Sequence, residues 1–119
     1  MLFVARSLRQ LQFGKLMEVY TQSNLEKAAN GGILRAEQDF YQYLHQVFFR
    51  TDSAVYFIWE EHGKYVSALR LEPYRDGLLL AALETHPQMR RKGYAAKLIL
   101  EVMTYAKELS IYSHVSKKN

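Results

Sequence analysis

The segment Leu83-Glu84-Thr85-His86-Pro87-Gln88-Met89-Arg90-Arg91-Lys92-Gly93-Tyr94-Ala95-Ala96-Lys97-Leu98 joins an apolar strand to an amphipathic helix through a short basic loop. The strand ends at Pro87, which has no amide hydrogen to give to a ladder. Three consecutive cations, Arg90, Arg91 and Lys92, precede Gly93. From there Ala95, Leu98, Ile99, Val102, Met103, Ala106 and Leu109 follow the i, i+3, i+4, i+7 spacing of a helix with one apolar face. The first amides of a helix lack internal partners and sit at the positive end of its dipole. Gly93 lets a ligand approach the backbone with no Cβ in the way, and Ala95 keeps the next turn narrow. With the cations added, the segment reads as an anion site whose natural occupant is a pyrophosphate. The plainer alternative is a basic turn that opens a core helix. The chain contains neither G-x-x-x-x-G-K-[ST] nor G-x-G-x-x-G, which argues against a P-loop nucleotidase and a Rossmann dehydrogenase.

Upstream, Leu78–Thr85 is an almost continuous apolar run, the pattern of a strand buried on both faces in the middle of a sheet. Ala54–Trp59 and Tyr65–Leu71 are rich in β-branched and aromatic residues and flank the turn Glu61-His62-Gly63-Lys64, so they form a hairpin. Glu72–Gly77 is a further turn. Phe40, Tyr43, Leu44, Val47 and Phe48 give a helical stripe between the breaks Asn30-Gly31-Gly32 and Thr51-Asp52-Ser53. Leu2–Ala5 is a first strand. Ser7-Leu8-Arg9-Gln10 fits a capping box, and Leu8, Leu11, Leu16, Val19 and Tyr20 form the stripe of the helix it opens. Gly14 weakens that helix by about 1 kcal/mol relative to alanine. Downstream, Ile111–Val115 is a last strand. The predicted order is β-α-α-β-β-β-α-β, a mixed α/β arrangement of one sheet with helices.

A chain of 119 residues suits one domain spanning 1–119. Sixteen Lys and Arg against twelve Asp and Glu leave a formal charge of +4. That surplus suits nucleic acid, an anionic membrane or a phosphorylated cofactor and is too small to choose among them. Basic residues are not interleaved with aromatics in one stripe, so no nucleic-acid partner is expected. The absence of cysteine excludes disulfides, cysteine zinc sites and thiol nucleophiles. His45, His62 and His114 show no metal-ligand spacing, and no metal is expected. The apolar start Met1–Ala5 is too short for a signal peptide. No run approaches the roughly 20 residues of a membrane helix. The expectation is a cytoplasmic protein with no membrane partner.

Arg90-Arg91-Lys92-Gly93-Tyr94-Ala95 resembles the [RQ]-x-x-G-x-[GA] signature of the GNAT superfamily of acyl-CoA-dependent N-acetyltransferases. The flanks agree: Leu83–Pro87 is similar to the apolar strand ending in x-P, Leu98-Ile99 to the apolar pair on the helix, and Val115–Asn119 to the following strand ending in Asn. Two helices and a hairpin precede the motif in the family order. The resemblance covers essentially the whole chain and implies a mostly antiparallel sheet flanked by helices. It implies acetyl-CoA as co-substrate and a primary amine, small molecule or peptide, as acceptor. The amides of Arg91, Lys92, Gly93, Tyr94, Ala95 and Ala96, with the charge of Arg90, would hold the pyrophosphate. The backbone of Leu83 and Thr85 would pair with the pantetheine arm, in the splay between the third strand of the hairpin region and the strand at Ile111–Val115. Asn119 would lie near the cofactor, and Lys117-Lys118 beside its 3′-phosphate.

Glu84 is the expected general base, against the alternative of a solvent-facing carboxylate. It points to the face opposite Thr85. His86 is either an exposed loop residue or a proton relay. Tyr41 and Tyr74 are candidates for the acceptor pocket, and Asn24–Gly32 for the substrate loop. The family fold continues past this Asn with a helix and two strands, so a fold ending at Asn119 is expected to leave an open sheet edge that favours a homodimer. A non-catalytic CoA-binding or assembly module of the same fold is the alternative.

Overall fold

The computed structural model describes residues 1–21, 24–25, 32–50, 54–105 and 111–113. Its elements are β1 (Leu2–Ala5), α1 (Phe13–Val19), α2 (Ile33–Gln46), β2 (Val55–Glu61), β3 (Lys64–Tyr74), β4 (Gly77–Thr85), α3 (Tyr94–Tyr105) and β5 (Ile111–Ser113). This is the order that the sequence predicts. The strands form one sheet in the order β1-β2-β3-β4-β5. The first four are antiparallel, and β5 joins β4 in parallel, with Leu78–Leu80 opposite Ile111–Ser113. The fold is α+β.

Strand alternation divides the core in two. Tyr56, Ile58 and Ala68 face α1 and α2 and pack with Leu16, Val19 and Leu44. Val55, Phe57, Leu69 and Leu71 face α3 and pack with Leu98 and Val102. The β2–β3 hairpin closes on the two residues His62 and Gly63, with φ of 52° and 77°. Two left-handed residues match a hairpin turn to the twist of its strands, and glycine takes the second at no steric cost.

Between β3 and β4 the register slips. Arg70 lies opposite Ala81 and Ala68 opposite Glu84, so Leu69 alone faces both Ala82 and Leu83. This is a β-bulge, with Ala82 held at φ 55°. Its consequence is a change of face. Leu78 and Leu80 pack on the α3 side, and so does Leu83, which strict alternation would send to the other side. Ala82 packs against the α1–α2 cluster. Glu84 follows it to that side.

Several local expectations are corrected. All nine residues of β4 are half-buried, where burial on both faces is expected. Among the described residues β5 flanks β4 only along Leu78–Leu80, and the far half of β4 borders open clefts. Glu72, Pro73 and Tyr74 belong to β3, so the turn narrows to Arg75 and Asp76. The capping box at Ser7 does not form: Ser7 makes no side-chain cap, Gln10 Oε1 accepts from the Arg6 amide, and Leu8–Gln10 is a separate 3-10 turn. The α1 helix starts only at Phe13, which puts Gly14 in its first turn. Val47 and Met103 are exposed instead of lying on the apolar stripes. Val47 follows the last residue of α2, and Met103 lies five positions on from Leu98, well round the helix from the buried pair Leu98 and Val102. Ala106, Leu109 and His114–Asn119 fall outside the described residues.

The two faces of α3 give a direct test. Leu98 is fully buried and Leu100 is exposed. Leu98→Ala is expected to cost about 2–5 kcal/mol in denaturant unfolding, and Leu100→Ala less than about 0.5 kcal/mol.

Candidate active site

Two clefts meet at the C-terminal end of β4. The first, of about 360 Å³, lies between that end and the start of α3. Leu83, Glu84, Thr85, Arg90, Arg91, Gly93, Tyr94 and Ala95 line it, together with Met89. The loop turns tightly: Pro87–Met89 is a 3-10 turn, and Arg91 and Gly93 are left-handed, with φ of 64° and 81°. A Cβ at Gly93 would meet nothing within 4 Å, so open space adjoins its backbone. The Lys97 amide is bonded to the Gly93 carbonyl at 3.0 Å, and the amides of Tyr94, Ala95 and Ala96 precede that first helical bond. Arg90 turns back to β4, its Nε donating to the Thr85 carbonyl at 3.4 Å. Lys92 and Ala96 are exposed and do not line the cleft. Asn119 lies outside the described residues.

The second cleft, of about 520 Å³, lies between α2 and the sheet. Arg35, Ala36, Asp39, Phe40 and Tyr43 form its helical wall, and Tyr20, Asn24, Arg70, Ala82 and Glu84 the rest. Glu84 thus borders both clefts. Thr85 is directed the other way, its hydroxyl 3.3 Å from that of Ser67. Tyr41, a candidate for the acceptor pocket, instead lines a separate groove with Phe13 and Leu34. The Tyr74 side chain and most of Asn24–Gly32 lie outside the described residues.

The floor of the second cleft is Arg70, which is not among the site residues that the sequence singles out. Arg70 is largely buried and stands within 6 Å of four rings, Phe40, Tyr43, Phe48 and Tyr56, at centroid distances of 5.9, 5.0, 5.6 and 5.9 Å. Rings present negative faces to a cation, which offsets the loss of water. Its Nε donates to Glu72 Oε1 at 3.2 Å, and that oxygen also accepts from the Tyr43 hydroxyl at 3.0 Å. One signal was available: strict alternation puts Arg70 on one strand face with Val66 and Ala68, so it continues an apolar face and must have partners there.

Behind the cleft runs a chain of buried hydroxyls. Tyr56 donates to the Tyr20 oxygen, and Tyr20 donates to the Ala82 carbonyl at 2.6 Å. Burial pushes both phenols well above their ordinary range, so both remain protonated donors.

Residues 16–119 match the acetyltransferase (GNAT) family, and the chain belongs to that family. Its fold is similar to that of PaiA N-acetyltransferase from Thermoplasma acidophilum in complex with coenzyme A, with a TM-score of 0.71 and 17% identity over 100% of this chain and 82% of that one. It is also similar to ribosomal-protein-alanine N-acetyltransferase from Brucella melitensis biovar Abortus 2308 (TM-score 0.66, 14% identity, 99% and 81% covered). AAC(6′)-Iy in complex with the bisubstrate analogue CoA-S-monomethyl-acetylneamine is similar as well (TM-score 0.61, 14% identity, 100% and 82% covered). A search of curated proteins gives no match. Enzymes of the family use acetyl-CoA to acetylate amines. Among the described residues no helix is long and apolar enough to cross a membrane, and no three His, Cys, Asp or Glu residues gather as a metal site.

His86 is not an exposed loop residue. It is buried, its Nδ1 accepts from the Gln88 amide at 3.1 Å, and its Nε2 lies 3.9 Å from Glu18. Burial lowers its pKa below the ordinary histidine value, Lys64 lowers it further, and Glu18 opposes both. The fold therefore favours the neutral ring, while the unfolded chain takes up a proton near pH 6.5 or so. Stability is full above that pH and falls as pH drops through the lowered folded value. Urea unfolding between pH 7 and 5 or so is expected to show this loss. His86→Gln, which keeps an acceptor for the Gln88 amide, is expected to flatten it.

Proposed function

We propose that the chain transfers an acetyl group from acetyl-CoA to a primary amine by direct attack, with Glu84 as general base. The observation that carries this is the position of Glu84 on the border of both clefts. The residues at the first cleft suit the co-substrate: open space at Gly93, amides ahead of the first helical bond, and the cations Arg90 and Arg91. Acetyl-CoA supplies the acyl thioester. Amides at the head of α3 hold the pyrophosphate, and the edge of β4 at Leu83 and Thr85 receives the pantetheine arm. The second cleft takes the acceptor, whose class is a small-molecule or peptide amine. Aromatic walls at Tyr20, Phe40 and Tyr43 suit an apolar body, and Glu84 suits an ammonium group.

Glu84 takes a proton from the ammonium, directly or through one water. The amine nitrogen bonds to the acetyl carbon as that carbon releases sulfur, and the second proton that the nitrogen sheds neutralises the departing thiolate, directly or through water. No acyl-enzyme forms, which fits a chain without cysteine. Most of the acceleration comes from holding the two substrates together at the junction of the clefts.

Calorimetry is expected to give micromolar acetyl-CoA binding, and an amine panel to reveal turnover. Glu84→Gln is expected to lower kcat by about 10²–10⁴-fold without changing acetyl-CoA binding. Binding with no turnover on any amine favours a non-catalytic CoA-binding module. The absence of binding refutes both.

A further inference from the structure

Ala82 is the least comfortable residue of the sheet. A left-handed conformation costs a non-glycine residue about 1–2 kcal/mol, and the bulge takes this stretch of β4 out of regular pairing. Such a conformation persists only where its surroundings hold it. Among the described residues, the Tyr20 hydroxyl, at 2.6 Å from the Ala82 carbonyl, is the side-chain group that does so. Tyr20 is itself fully packed in the core, and its oxygen also accepts from Tyr56, which lies against Arg70.

The geometry of one peptide unit extends this contact to the other side of the sheet. Peptide bonds here are trans, so the Ala82 C=O and the Leu83 N–H point in opposite directions. Tyr20 draws the carbonyl toward α1 and α2, which turns the Leu83 N–H toward α3. Leu83 lines the cleft on that side. We infer that Tyr20 is a positioning residue for acyl transfer: by gripping the Ala82 carbonyl it aims the Leu83 amide into the co-substrate cleft as a donor to the thioester carbonyl. The inference rests on the acetyl-CoA reading above. It also links the two clefts, because the ring of Tyr20 lines the acceptor side. A donor fixed before the reaction stabilises developing negative charge without reorganising. Raised phenol pKa values keep the grip in place across the working pH range.

The test compares wild type, Tyr20→Phe and Tyr56→Phe. In the unliganded chain, the Leu83 amide 1H–15N resonance is expected to move in Tyr20→Phe, because the peptide plane it belongs to is no longer held at the Ala82 carbonyl. Amide resonances of β2 away from Tyr56 should stay in place, and Tyr56→Phe, which leaves Tyr20 on Ala82, should leave the Leu83 resonance unchanged. With [1-13C]acetyl-CoA bound, the carbonyl stretch is expected to lie below the free value in wild type and to return toward it in Tyr20→Phe. An unmoved Leu83 resonance in Tyr20→Phe overturns the inference. An equal displacement in Tyr56→Phe does so too, as it reports a loosened core. So does a carbonyl stretch that ignores the substitution. If Tyr20→Phe does not fold, the double variant with Ala82→Gly, which removes the left-handed cost, gives the same readouts. No acetyl-CoA binding by wild type overturns the acetyltransferase reading and this role together, whereas binding with an unmoved Leu83 overturns this role alone.

Discussion

One extra residue in β4 reverses the direction of every side chain that follows it. The sheet accepts a left-handed alanine and a break in pairing, and in return Glu84 moves from the α3 side to the cleft beside α2, while Leu83 and Thr85 turn toward α3. Without the bulge, period-two alternation would put Glu84 with Leu80 against α3. The site therefore depends on holding Ala82 in place, and the Tyr20 hydroxyl supplies that hold.

The rest of the core is arranged around the same point. The α1 helix is short, yet Leu16, Met17 and Val19 are buried and carry Tyr20 to the middle of the sheet. The α2 helix covers the same face and supplies Phe40 and Tyr43, which wall the acceptor cleft and surround Arg70. A buried guanidinium is costly unless it is paired and hydrogen-bonded. Glu72 and four rings meet that need, and they tie β3 to α2 and to the turn that follows it. On the opposite face α3 has a simpler task. Leu98 and Val102 anchor it to the sheet, and that docking sets its amide-bearing end beside the last residues of β4.

Much of this was legible in the sequence because it depends on local periodicity and on a few residues with special backbones. The helical spacing after Gly93, the alternation in the hairpin, the glycine of the His62-Gly63 turn and the proline that ends β4 each act through nearest neighbours along the chain. Arg90-Arg91-Lys92-Gly93-Tyr94-Ala95 is contiguous, so the family signature could be read directly, and the family match over residues 16–119 bears it out. Where such local signals misled, long-range packing won. Ser7 suits a helix cap, but the chain bends there and α1 begins later. The apolar run in β4 suggests full burial, but its far end opens onto clefts. Tyr41 points to a different groove, and His86 is buried where its amide bonds the Val66 carbonyl of β3.

The sequence by itself determined the order of the elements, the family and the basic loop at the head of α3, since each is a pattern of neighbouring residues. Only the tertiary structure decided which face Glu84 occupies, that Arg70 sits within a cage of rings, and that Tyr20 grips Ala82. Tyr20 and Ala82 stand 62 positions apart, and neither residue type signals the other. A bulge built on alanine leaves no glycine to mark it. It shows only when two strands are paired and one is found to have a residue too many.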